Sequence, residues 1–115
     1  MPHIIVEYSE FAIPEQEVGR ILRTVHSGVV DSGLFENSHI KTRAYPFKDY
    51  THGDGDEPYI HIQARIKSGR DADMKKRLSD GILQSVSSVR VPVSVITVEV
   101  IDMDRESYGK YSYKS

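Results

Sequence analysis

Pro2, Lys41, Arg43 and Arg70 are the residues through which this sequence could do chemistry. Once Met1 is removed, Pro2 exposes a secondary amine held in a rigid ring. Free α-amino groups titrate near ~8. Desolvation and nearby cations both disfavour the charged form. In a partly dry, basic pocket such an amine is neutral, and a base, near neutral pH. With Met1 attached, the nitrogen is an amide and has no such role. Lys41 and Arg43 alternate onto one face of an extended run, and Arg70 follows Ser68-Gly69 just before a helix. Free N–H groups at a helix start favour anions, and an arginine there adds a forked donor. Together these residues describe a carboxylate site with a base. Taken singly, each has a plainer reading. Many chains begin Met-Pro without catalytic use, and strand or loop cations are usually solvated. Their weight comes from agreement.

The elements that must position them follow from periodicity. Residues 2–8 alternate, with Ile4, Val6 and Tyr8 on one side and His3, Ile5 and Glu7 on the other, which predicts a strand opening at Pro2. Pro14 opens a helix with Glu15 and Glu17 in its first turn. Val18, Ile21, Leu22, Val25 and Val29 form its apolar stripe, and Gly28 and Gly33 mark its exit. A second strand covers 40–47, with Lys41, Arg43 and Tyr45 facing away from Ile40, Thr42 and Ala44. Residues 48–58 read as a connector. Tyr59 to Ile66 is a third strand with Ile60, Ile62, Ala64 and Ile66 on its apolar face. Asp71 caps a second helix with the stripe Met74, Leu78, Ile82, Val86 and Val89. After Pro92, Val93 to Ile101 is a β-branched strand. The stretch from Asp102 reads as a polar tail with Tyr108, Tyr111 and Tyr113, either mobile or docked on a neighbour.

The run Pro2-His3-Ile4-Ile5-Val6-Glu7 resembles Pro58-Tyr59-Ile60-His61-Ile62-Gln63, and a helix and a strand follow each. The expected fold class is therefore α+β, a single domain over 1–115 built from βαβ units at 2–47 and 58–101 with a tail at 102–115. Right-handed crossovers put both helices on one face of a four-stranded sheet. The other face has mixed polarity, which points to assembly.

Composition narrows the function. The net charge of −2 argues against general nucleic-acid binding. No apolar run approaches membrane-spanning length. The start of the chain does not read as a signal peptide, so the cytoplasm is the expected location. With no cysteine, disulfides and a thiol nucleophile are excluded. His3, His26, His39, His52 and His61 lack metal-ligand spacing. The acidic loop His52–Glu57 lacks the spaced ligands of a calcium loop, and no Gly-x-Ser-x-Gly occurs.

The Pro2-His3-x-Ile5-Val6-Glu7 start, with Ile40-Lys41-Thr42-Arg43 and Lys67-Ser68-Gly69-Arg70, resembles the tautomerase superfamily. More specifically it resembles the 5-carboxymethyl-2-hydroxymuconate Δ-isomerases of homoprotocatechuate breakdown, over roughly residues 2–101. The resemblance implies a homotrimer with sheets packed around a central axis, and no metal or organic cofactor. It implies that Pro2 moves a proton on a conjugated dienol bearing three carboxylates, giving the isomeric unsaturated keto acid. It also implies that Arg70 holds a carboxylate or the developing oxyanion, and that Lys41 and Arg43 bind substrate. The family usually has arginine where Lys41 stands; lysine keeps the charge but loses bidentate geometry. Two alternatives accompany this reading. One is another tautomerase-superfamily reaction on a small keto or enol acid. The other is a non-catalytic βαβ binding or oligomerisation module.

Overall fold

The computed structural model describes residues 1–113. Strand β1 is His3–Ser9, helix α1 Glu15–Asp31, strand β2 Lys41–Phe47, strand β3 Tyr59–Lys67, helix α2 Ala72–Ser87 and strand β4 Val95–Met103. They form one four-stranded sheet in the order β2-β1-β3-β4. β1 pairs parallel with β2 and β3 with β4, while the central β1–β3 pair is antiparallel. Two parallel βαβ units are thus joined back to back. The same contact anchors each unit: Lys41 N–H donates to the Pro2 carbonyl at 3.1 Å, and Ser94 N–H to the Pro58 carbonyl at 2.9 Å.

The period-two pattern decides which face is covered. Ile4 and Val6 of β1 and Ile60, Ile62, Ala64 and Ile66 of β3 are buried beneath the helices. The stripes Ile21–Val25–Val29 of α1 and Leu78–Ile82–Val86 of α2 complete that core. Truncating any of its fully buried leucine or isoleucine side chains to alanine costs about 2–5 kcal/mol. Asp71 caps α2, its side chain accepting from Met74 N–H at 2.8 Å. Within one chain the other face is open and carries polar pairs such as His61 with Thr97 and Glu99.

The structure corrects three expectations. Gly28 does not end α1. It lies inside the helix, which caps at Ser32, before Gly33. Gly28 is where α1 crosses α2: a Cβ there would meet Ser85 Oγ at 2.9 Å and the Ile82 Cα at 3.1 Å. Strand β4 is displaced towards the C-terminus, starting at Val95 and ending at Met103. Around Pro92 the chain turns, with Val93 N–H bonded to the Val91 carbonyl. At the other end Asp102 stays in the ladder, and its carboxylate meets Lys75 Nζ at 3.0 Å. Finally, the residues after β4 fold back onto their own chain, where Tyr108 Oη lies 2.9 Å from His3 Nε2. No helix among the described residues is long and apolar enough to cross a membrane.

The helix crossing gives the first expectation. Gly28→Val overpacks it and costs about 1–3 kcal/mol despite the better helix propensity. Urea unfolding of the variant measures this; unchanged stability would mean the crossing has slack.

Candidate active site

The central antiparallel pair brings the start of β1 beside the end of β3, since His3 lies opposite Arg65. A cavity of about 290 Å³ opens there, at the edge of the sheet, and Pro2, Phe35, Lys67, Arg70 and Arg105 help to line it. Pro2 is fully buried at its base. The described chain carries Met1, whose amine is held below its ordinary value. Burial is the main cause, and the charges of Lys67, Lys110, Arg70 and Lys41 add to it. The surroundings of the chain terminus therefore penalise a protonated amine.

Arg70 enters from the turn between β3 and α2. That turn needs Gly69, whose φ of 126° lies where side chains are rarely found. The Arg70 guanidinium stacks 4.5 Å above the Phe35 ring and donates to the Leu34 carbonyl at 3.0 Å. Its Nε is buried without a hydrogen-bond partner. A buried donor left unpaired costs about 1–3 kcal/mol, so this guanidinium has bonding capacity the protein does not use. One acid, Glu36, also lines the cavity, 3.6 Å from His39 Nε2.

The sequence-derived site is only partly assembled. Pro2 and Arg70 share the cavity. Lys41 does not line it, although its backbone pairs with Pro2 and its charge acts on the terminal amine. Arg43 lies on the open sheet face, its guanidinium donating to His3 Nδ1 at 3.2 Å. The start of α2 is not wholly free for a substrate anion either, because the Asp71 carboxylate occupies Met74 N–H. Lys67 and Arg105 were missed. Lys67 stood in the quoted Lys67-Ser68-Gly69-Arg70 run and shares the outward face of Arg65. Arg105 follows a strand in a polar stretch without periodicity and gave no signal.

His3 is engaged through both ring nitrogens. Arginine only donates, so His3 Nδ1 accepts, and the neutral ring carries its proton on Nε2, facing Tyr108. Burial holds the imidazole below its ordinary value, and Arg43, the N-terminus, Lys41 and Arg65 add to the effect. As pH falls below about 6.5, the unfolded chain therefore protonates at His3 before the folded chain does. That proton favours unfolding, so His3 reduces stability on acidification. NMR titration should find His3 below its unfolded value, with Arg43→Gln moving it upward and softening the loss of stability between about pH 7 and 5. A His3 midpoint at or above the unfolded value would contradict this arrangement.

Among the described residues no group of three or more His, Asp or Glu is placed to hold a metal. No curated protein matches the sequence. Solved structures do match its fold. A 5-carboxymethyl-2-hydroxymuconate isomerase from Deinococcus radiodurans R1 is 20% identical, with 97% of this chain and 90% of that one covered and a TM-score of 0.79. A fused 4-OT, described as a wild-type symmetric trimer, is 18% identical over 95% of this chain and 93% of that one, with a TM-score of 0.78. FG41 malonate semialdehyde decarboxylase, inhibited by 3-bromopropiolate, is 14% identical over 97% and 90%, with a TM-score of 0.75. At these identities the likeness is one of fold. The family model for 5-carboxymethyl-2-hydroxymuconate isomerase, by contrast, matches residues 2–105, so the chain belongs to that family, within the tautomerase superfamily.

Proposed function

We propose that the chain, freed of Met1, isomerises a carboxylate-rich dienol of the 5-carboxymethyl-2-hydroxymuconate type with Pro2 as acid and base. One observation carries the reading: Pro2 and Arg70 share a cavity in which an amine is pushed toward its neutral form. The neutral amine takes a proton from one end of the conjugated system. Negative charge spreads over the dienolate, and the prolinium returns the proton at the other end. Arg70, with unspent donors, holds a carboxylate or the developing oxyanion. Lys41 and Lys67 supply further positive potential, which concentrates an anionic substrate despite the chain's net charge of −2. Arg43 serves substrate binding indirectly, through His3. The partially polar open sheet face fits a homotrimer, the assembly described for the fused 4-OT. A second reading, a different reaction on a small keto or enol acid, is favoured by Lys41 standing in the arginine position and by the decarboxylase among the structural neighbours.

Intact mass of the native protein tests the premise, because the mechanism requires loss of Met1. Loss of the dienol's ultraviolet absorbance tests the chemistry. Pro2→Ala should lower kcat about 10²- to 10⁴-fold. Arg70→Gln should lower kcat/KM by roughly 10²-fold or more. Processed protein without turnover sinks the dienol reading, and turnover untouched by Pro2→Ala sinks the mechanism.

The cations also set the pH profile. Activity needs the neutral amine, so it rises as pH passes the amine's pKa, and the surroundings that lower the Met1 amine, burial first and then Lys67 and its neighbours, act on a freed Pro2 in the same sense. Removing one charge with Lys67→Met should move the acid limb of kcat/KM upward. An unmoved limb would mean that Lys67 does not act on Pro2.

A further inference from the structure

Residues 104–108 form a strap across the end of the sheet. The Asp104 carboxylate shapes the turn, accepting from Glu106 N–H and Ser107 Oγ, each at 3.2 Å. Arg105 Nε donates to the Ser68 carbonyl, and the guanidinium packs on Gly69, with its Nε 3.5 Å from where a Cβ would sit. Arg105 thus rests on the turn that presents Arg70, and it lines the same cavity. Its terminal nitrogens bond no protein group among the described residues. Of the two carboxylates beside it in sequence, Asp104 is engaged in its own turn, and among the described residues Glu106 makes no ion pair with it.

Tyr108 ends the strap and fixes it. Its hydroxyl lies 2.9 Å from His3 Nε2, and Lys67 Nζ sits 5.2 Å from its ring centroid. Arg43 holds His3 in the tautomer that donates to that hydroxyl. The chain of contacts runs from Arg43 through His3 to Tyr108, and from there along the strap to Arg105.

We propose that Arg105 binds a substrate carboxylate beside Arg70, and that Arg43, His3 and Tyr108 form the clamp that positions it. The proposal rests on the cavity being the substrate site. A substrate with several carboxylates needs separated cationic forks, and Arg70 alone provides one. Arg105 provides a second, on a segment that Tyr108 ties to His3. Arg43 thereby acts from the open sheet face as a positioning residue.

The test pairs kinetics on the dienol with calorimetric binding of propane-1,2,3-tricarboxylate, a tricarboxylate with nothing to isomerise. Arg105→Ala should raise KM and the tricarboxylate Kd roughly ten- to a hundredfold while changing kcat less than about threefold, and Arg105→Lys should restore part of the loss. Tyr108→Phe should weaken both in the same direction by about three- to tenfold, and add nothing in the Arg105→Ala background. Wild-type affinity in Arg105→Ala overturns the proposal, as does a Tyr108→Phe effect that persists undiminished without Arg105. Wild type that binds the tricarboxylate but does not turn over the dienol overturns the proposed reaction and leaves the strap standing. Wild type that does neither overturns both.

Discussion

The antiparallel pairing of β1 with β3 is the constraint on which the rest depends. It joins the two βαβ units and buries their isoleucine-rich faces under both helices. It also runs the two strands in opposite directions, so the beginning of the first meets the end of the third. The residues just before His3 and just after Arg65 must then share one edge of the sheet. On one side is Pro2; on the other are Lys67 and, one turn later, Arg70. A slip of one residue would turn Ile4 and Val6 of β1 to the open face. The register that builds the core therefore also sets Pro2 beside Lys67 and Arg70.

That juxtaposition has an energetic consequence. An amine next to several cations and partly removed from water is costly to protonate. Met1 shows the effect at the chain terminus, where burial outweighs any single charge and the four cations all act in the same sense. The arrangement favours an anion in the cavity and a neutral amine at its floor. A bound carboxylate offsets the repulsion among the cations, and by the same charge it weakens their hold on the amine.

The sequence made the elements legible because they follow from period and capping. Alternation in β1 and β3 named the buried face, the stripes of α1 and α2 named their inward sides, and Asp71 took the cap it was expected to take. Pro2 and Arg70 were legible as a pair for the same reason: each sits at the end of an element, where direction is fixed by the chain. Arg43 shows the limit. Alternation placed it correctly on the outward face, but a face is not a destination, and the guanidinium goes to His3. Gly28 was read as a stop because glycine often ends helices, whereas its lack of a side chain serves the contact with α2, a partner that lies far along the chain. Arg105 had no pattern at all. It is held by the Ser68 carbonyl, in a segment that also meets His3 through Tyr108, a contact between opposite ends of the sequence.

The repeat sharpens what is particular to the first unit. Both units begin at a proline whose carbonyl receives the same backbone bond. Both place an arginine against the carbonyl of a helix-to-strand loop: Arg70 on Leu34, and Arg20 on Arg90. The second loop also has a cleft, bounded by Pro14, Arg20, Arg90 and Pro92. Yet Arg20 is already paired with Glu17 at 2.9 Å, whereas among the described residues Arg70 makes no ion pair. Pro58, inside the chain, can never carry a free amine. Duplicating the fold thus duplicates the scaffold without duplicating the chemistry. Only a unit whose first strand starts at a freed terminus can offer a secondary amine.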